Sequence, residues 1–115
     1  MTPLPSRGEI WLADLNPIRG HEQAGKRPVV VISTDIFNHG PAGLIFALPL
    51  TRTDRRIPLH ILIEPPEGGL REKSFILCDA LRSISKERLG GRPFGKLSQT
   101  TMDKVENTLR ILMEL

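Results

Sequence analysis

Short apolar runs, interrupted by proline and glycine, occupy most of the chain. Gly8–Leu15 and Pro28–Ser33 carry apolar residues at consecutive positions, so apolar side chains point to both faces of an extended strand. This pattern predicts strands that are covered from both sides, with Trp11 in the core. Similar runs predict further strands over Leu44–Leu50, Leu59–Ile63, Ser74–Cys78 and Ala80–Ile84, with a turn at Pro65–Gly69. Within the third run, Pro49 indicates an edge strand or a bulge.

Two segments are expected to be helical. Asp35–His39 can form a single turn before Gly40 and Pro41 stop it. From Ser98 onward glycine and proline are absent, and apolar residues recur at spacings of three and four, at Met102, Val105, Leu109 and Leu112. That spacing predicts an amphipathic helix with Ser98 or Thr100 as its N-cap.

These elements predict a mainly β fold in a single domain over residues 1–115. The strands are expected to form a small antiparallel barrel or curled sheet. A short helix follows the second strand, and the C-terminal amphipathic helix closes the structure.

Charge and aromatic content narrow the choice of partner. The net charge is +3, which favours a polyanionic partner without proving one. There are four phenylalanines, one tryptophan and no tyrosine, too few for the stacking platform of many single-strand binders. A bound nucleic acid would therefore be held mainly through phosphate contacts and hydrogen bonds.

The lone cysteine and the histidines bear on compartment and metal binding. Cys78 has no partner for an internal disulfide, lies in an apolar run and is expected to be a buried hydrophobe in a reducing, cytoplasmic compartment. No apolar run approaches the roughly 18 residues of a membrane span, and Met1–Arg7 contains no apolar segment of the kind found in signal peptides, so neither feature is expected. His21, His39 and His60 have no zinc-ligand spacing, so no metal and no other cofactor is expected.

The connection Asn16–Arg27 is longer than a hairpin needs, since such loops typically take about two to five residues. It contains an imidazole, a carboxylate, an amide and two cations, contributed by His21, Glu22, Gln23, Lys26 and Arg27. Those groups suit phosphodiester chemistry. On chemistry alone, a solvated polar loop is an equally simple explanation.

Several segments resemble toxins of the MazF/PemK family. The opening Arg7–Pro17 and the signature Gly20–Pro28 are similar to the start of those proteins. Three later segments match in order and spacing: Leu48–Thr51, Leu77–Ile84 and Phe94–Ser98. The resemblance covers nearly the whole chain. It implies the small SH3-like antiparallel barrel shared by PemK-like and CcdB-like toxins, and a sequence-specific endoribonuclease that cleaves single-stranded RNA.

By this resemblance, the catalytic pair maps onto Arg27 and Thr51. The family reaction is attack of the 2′-hydroxyl on the adjacent phosphate, which gives a 2′,3′-cyclic phosphate and a 5′-hydroxyl without a metal; DNA should stay intact. Arginine remains protonated and suits charge stabilisation, not proton abstraction. His21 and Glu22 are both candidates for proton transfer, and Gln23 for positioning the substrate.

RNA-binding residues and partners are further expectations. Arg52, Arg55 and Arg56 follow Thr51 in one loop and, with Lys26 and Arg82, are candidates for phosphate contacts; a solvated charged surface is the alternative. The resemblance also implies a homodimer and a cognate antitoxin whose disordered acidic tail occupies the RNA groove.

Two rival functions use the same fold. A CcdB-like, non-catalytic gyrase poison depends on a tryptophan-containing C-terminal tail, whereas this chain ends Arg110–Leu115 without one. A catalytically silent RNA-binding barrel would have no need to retain both Arg27 and Thr51.

His21 occupies a signature position where many members of that family carry serine. An imidazole titrates near neutral pH, so His21→Ser is expected to weaken RNA cleavage modestly and to shift its pH profile. The measurement is the rate of cleavage between pH 5 and 9 for both proteins. An unchanged pH–rate curve would show that His21 takes no part in proton transfer.

Overall fold

The computed structural model describes residues 4–15 and 25–115, in which seven strands form one antiparallel sheet. The strands are β1 (Glu9–Asp14), β2 (Lys26–Val31), β3 (Leu44–Thr51), β4 (His60–Ile63), β5 (Ser74–Leu77), β6 (Arg82–Ser85) and β7 (Leu89–Lys96). Helix α1 (Asp35–Asn38) follows β2, and helix α2 (Gln99–Met113) follows β7. Single 3₁₀ turns lie at Glu67–Gly69, Cys78–Ala80 and Lys86–Arg88. The predicted mainly β fold, with its short first helix and C-terminal helix, is confirmed.

The sheet is curled but does not close through strand pairing in the part of the chain described. Its order is β4-β5-β3-β2-β1-β7, with β6 also paired to β3, so β4 and β7 form the two ends. The turn Glu67–Gly69 bridges them by packing on β7. A Cβ on Gly69 would lie 1.8 Å from the carbonyl oxygen of Phe94, and a Cβ on Gly95 would lie 2.6 Å from the carbonyl carbon of Gly68. A backbone contact that only glycine permits therefore joins the two ends of the sheet.

Both faces of the sheet are covered, as the consecutive apolar positions predicted. In β1, Ile10 points into one core while Trp11 and Ala13 point into the other. Trp11 is buried, which confirms its predicted place in the core. Helix α2 covers the face of Ile10 with Met102 and Val105.

Cys78 is also buried, as predicted, in the core beneath α2. Burial, with a smaller contribution from Asp79, raises the pKa of its thiol to about 12. The thiolate is the nucleophilic form of cysteine, so Cys78 acts as a packing residue and not as a reactive thiol.

The structure corrects two expectations about the strands. The sequence pattern predicts no strand over Leu89–Lys96, where three glycines and one proline interrupt the apolar residues. It nevertheless pairs with β1, and the register shifts between Ile10 and Leu12. Pro49 marks neither an edge strand nor a bulge, since β3 is a central strand and its register with β2 is regular through Pro49. It lies between Ala47, the last residue paired with β6, and Leu50, the first paired with β5, where a missing N–H breaks neither pairing.

Ser98 is the N-cap of α2, which decides between the two predicted candidates. Its Oγ accepts the backbone N–H of Thr101 at 3.2 Å. Its own N–H and hydroxyl both donate to Glu67 Oε2, at 3.1 and 3.0 Å. The cap therefore fastens α2 to the turn that bridges the ends of the sheet. Farther along the helix, Leu112 is 38 % exposed, so the buried part of the predicted apolar stripe ends before it.

Ser98→Ala removes the cap and the hydrogen bond from the Ser98 hydroxyl to Glu67. We expect it to lower the free energy of unfolding by about 1 kcal/mol or somewhat more. The measurement is urea unfolding at neutral pH, with Thr100→Ala as the matched control, because Thr100 lies exposed in the first turn of α2. Equal losses in the two variants would contradict the role of Ser98.

The contact between Glu67 and Ser98 makes the stability of the fold depend on pH in the acid range. Partial burial raises the pKa of Glu67, but hydrogen bonds from Thr101 and Ser98 outweigh this, and the net pKa is lowered. The unfolded chain, with a carboxyl pKa of about 4.3, therefore binds a proton first as the pH falls. The contribution of Glu67 to stability is complete above that pH and is lost as the pH falls through the lower pKa of the folded state.

Glu67→Gln is expected to reduce the loss of stability between pH 7 and pH 3. Urea unfolding at a series of pH values measures this loss, and Glu64→Gln, an exposed carboxylate before the same turn, is the control. Asp35, whose pKa is lowered mainly by the backbone N–H of Arg7, is unchanged in both variants. Part of the dependence of stability on pH therefore remains in both. The same acid sensitivity in Glu67→Gln and wild type would contradict the assignment.

Candidate active site

The register between β2 and β3 brings Arg27 and Thr51 together. Val31 pairs with Ala47 and Val29 with Pro49. Two residues beyond these pairs, Arg27 near the start of β2 and Thr51 at the end of β3 lie at the same end of the strand pair. Since side chains alternate along a strand, both point to the same face of the sheet. The two residues that the family resemblance selected, 24 positions apart in the chain, are therefore brought to the same end and face of the sheet.

Arg27 and Thr51 line a cleft of about 450 Å³ at this end of the sheet. Three segments contribute its walls: Lys26, Arg27 and Pro28 from β2; Leu50, Thr51 and Arg52 from the end of β3; and Leu70, Arg71, Glu72 and Ser74 from the segment that enters β5. The third segment reaches the cleft because Thr51 pairs with Phe75 of β5.

The hydroxyl of Thr51 is held in place. The residue is 6 % exposed, and its Oγ1 accepts the backbone N–H of Thr53 at 3.2 Å. That bond uses the oxygen as an acceptor and leaves the hydroxyl proton to donate to another group. Thr51 can therefore offer one directed hydrogen bond to a ligand in the cleft.

The cleft is strongly cationic. Its described lining carries four cations, Lys26, Arg27, Arg52 and Arg71, against one carboxylate, Glu72. Arg52 Nη1 lies 2.5 Å from Glu72 Oε2, and this hydrogen bond raises the pKa of Arg52. Both side chains are largely exposed, so the pair is readily exchanged for another partner. A polyanion is the ligand that such a cleft attracts.

Sequence-predicted residues fall into three groups. Lys26, Arg27, Thr51 and Arg52 line the cleft together. Arg55 and Arg56 are exposed in the loop between β3 and β4, and Arg82 is partly buried on β6, opposite Ala47; none of these three lines the cleft. His21, Glu22 and Gln23 lie outside the described residues.

The segment Leu70–Ser74 was missed by sequence reasoning as part of the site. Three charged residues, Arg71, Glu72 and Lys73, come directly before a predicted strand. In the same way, charged residues come directly after the predicted strand that ends near Thr51. That similarity was the available signal. It could not show that β5 pairs beside Thr51, because the pairing joins segments far apart in the chain.

Neither a cluster of metal ligands nor a membrane-spanning helix occurs in residues 4–15 and 25–115. No three His, Cys, Asp or Glu side chains there come together as metal ligands would. None of the helices in that part of the chain is long and apolar enough to cross a membrane. His60 donates from Nε2 to Asp79 Oδ1 at 2.8 Å, but it lies opposite Leu77 and outside the cleft lining.

Comparison with known proteins identifies the family. A profile described as PemK-like, MazF-like toxin of type II toxin-antitoxin system matches residues 6–113. The chain belongs to this toxin family. Endoribonuclease EndoA of Bacillus subtilis (strain 168) is 36 % identical over 110 residues, which cover 95 % of this chain and 94 % of EndoA.

Solved structures of MazF-like toxins share the fold. MazF from Deinococcus radiodurans superposes with a TM-score of 0.87 at 24 % identity, covering 98 % of this chain and 99 % of that one. An endoribonuclease from a mycobacterial species, in complex with its cognate antitoxin, has a TM-score of 0.75 at 22 % identity, covering 97 % and 95 %. The open, curled sheet with a C-terminal helix is thus the architecture of a MazF-like toxin.

Proposed function

We propose that this chain is a single-domain, sequence-specific endoribonuclease toxin that cleaves single-stranded RNA without a metal. The observation that carries the proposal is that Arg27 and Thr51 line the same cationic cleft. Membership in the MazF-like toxin family and similarity to an endoribonuclease support the same activity. The reaction is attack of the 2′-hydroxyl on the adjacent phosphate, which yields a 2′,3′-cyclic phosphate and a free 5′-hydroxyl.

Arg27 stabilises the charge that develops on the phosphate. As the attacking oxygen adds to phosphorus, negative charge grows on the non-bridging oxygens. A guanidinium can meet two of those oxygens with parallel hydrogen bonds and stays protonated throughout. Its strand position fixes it before the substrate arrives, so little reorganisation is needed during the reaction.

Thr51 positions the reacting groups through its hydroxyl. Because Oγ1 already accepts from the backbone of Thr53, its proton is directed to a phosphate oxygen or to the 2′-hydroxyl oxygen. The proton that leaves the 2′-hydroxyl needs a separate acceptor, for which Glu22 and His21 are the two candidates. DNA lacks the attacking hydroxyl and should bind without being cut.

The partners follow from the charge of the cleft and from the relatives. Lys26 and Arg52 are proposed to hold phosphates beside the scissile one, and Arg55, Arg56 and Arg82 to bind RNA only beyond the cleft. Since structural relatives were solved with their cognate antitoxins, an antitoxin is the expected inhibitor. A disordered acidic tail would compete with RNA for the cations of the cleft. We further propose a cytoplasmic homodimer whose RNA cleavage inhibits translation and growth.

The test is incubation of the purified protein with a long single-stranded RNA in excess EDTA, followed by sequencing of the new ends. Discrete cuts with 5′-hydroxyl ends are expected. Arg27→Ala should lower the rate by about 100-fold or more, the usual cost of losing a group that stabilises developing charge. Thr51→Ala should lower it as well, with the fold intact by circular dichroism.

Arg92→Ala is the matched control, because Arg92 is exposed on β7 and does not line the cleft. A DNA of the same sequence should remain whole. Cuts that vanish in EDTA would refute metal independence. A folded, antitoxin-free protein that makes no cuts would refute the enzyme and favour RNA binding without catalysis.

A further inference from the structure

Glu72 stands out in the cleft because of its charge. It is the one acidic residue of the described lining, where four cations surround the predicted position of the scissile phosphate. The side chain is 61 % exposed and reaches Arg52 at 2.5 Å. Its backbone is anchored, since the carbonyl oxygen accepts the hydroxyl of Ser74 at 3.1 Å. Glu72 therefore stays in the cleft whether or not its ion pair persists.

RNA binding should release the carboxylate from Arg52. A backbone phosphate that approaches the cleft competes for the guanidinium of Arg52 with one advantage over the carboxylate: the neighbouring cations Lys26, Arg27 and Arg71 can hold it at the same time. The exposed ion pair offers little resistance to this exchange. The freed carboxylate of Glu72 then lies beside a nucleotide.

A carboxylate can only accept hydrogen bonds, and it repels phosphate. Its favourable partners on a single-stranded RNA are the 2′-hydroxyl groups and the N–H groups on the edges of the bases, and only the base N–H groups differ from one nucleotide to another. Cytosine, adenine and guanine each present an amino group, and guanine adds an adjacent imino N–H that suits both carboxylate oxygens. Uracil flanks its single N–H with two carbonyl oxygens, which a carboxylate repels.

We propose that Glu72 determines specificity by accepting a hydrogen bond from an amino-bearing base, guanine being the best match, and by excluding uracil from that position. This inference rests on the proposed RNA cleavage, because it takes the cleft to be the place where the strand is held. Glu72 thus reads a base, while Arg27 and Thr51 act on the phosphate.

Glu72→Gln tests the assignment, because an amide both donates and accepts and so tolerates uracil. Wild type and variant are each given a random single-stranded RNA pool in EDTA, and both the cut ends and the bound, uncut RNA are sequenced. At one position, the preference against uracil should fall by about tenfold, a loss typical of one base contact. The other positions of the cut site should keep their preferences.

Glu87→Gln is the matched control, since it removes the same charge from an exposed residue outside the cleft lining. It should leave the cut profile unchanged. A uniform gain in affinity with an unchanged profile would show that Glu72 merely repels RNA. A large fall in kcat on every site would make it part of the catalytic machinery. Either result overturns base reading.

The two sequenced fractions separate this inference from the proposed function. Cuts with the same profile in wild type and Glu72→Gln would refute base reading and leave the ribonuclease intact. A pool that is bound but never cut, with a base preference that changes in the variant, would refute the ribonuclease and uphold the role of Glu72. A wild-type protein that neither binds nor cuts RNA would refute both.

Discussion

The pairing of β2 with β3 is the constraint on which the site depends. Three valines of β2, Val29 to Val31, are fully buried and fix the register against Ala47–Pro49. Because side chains alternate along a strand, a slip of one residue would turn every one of them to the opposite face of the sheet. The same slip would move Arg27 away from Thr51. Hydrophobic burial in the middle of the strands thus positions the polar pair at their ends.

The site also depends on a change of pairing partner along β3, on the side of that strand that faces away from β2. The first half of β3 pairs with β6, and its last residues pair with β5. This change of partner brings the segment before β5, with Arg71 and Glu72, to the cleft. The contact of Gly68 and Gly69 with β7, and the bonds of Glu67 to Ser98, then hold the ends of the sheet and helix α2 together. The cleft is therefore built on a frame whose two ends are tied by backbone and cap contacts.

The charge of the whole chain understates the charge of the cleft. A net charge of +3 is modest, yet four cations and one carboxylate meet in the described lining. Such a concentration persists because the charged ends of Lys26, Arg52 and Arg71 reach solvent, where water screens their repulsion. Among the four cations Arg27 is the one that is partly buried, and a charge that is less exposed to water acts on a bound phosphate more strongly.

By itself, the sequence determined the mainly β class, the C-terminal helix and the burial of Trp11 and Cys78. Through family resemblance it also determined the toxin family and selected Arg27 and Thr51 as candidate catalytic residues. These features depend on local preference, on the alternation of apolar residues, or on a recognisable signature. Only the tertiary structure decided that Leu89–Lys96 is a strand, that Pro49 lies in a central strand, that Ser98 is the cap, and that Glu72 lies in the cleft. Each of these depends on which distant segments pair. Glycine and proline in β7 oppose a strand locally, and pairing with β1 overrides that preference because it satisfies backbone hydrogen bonds that no local pattern reveals.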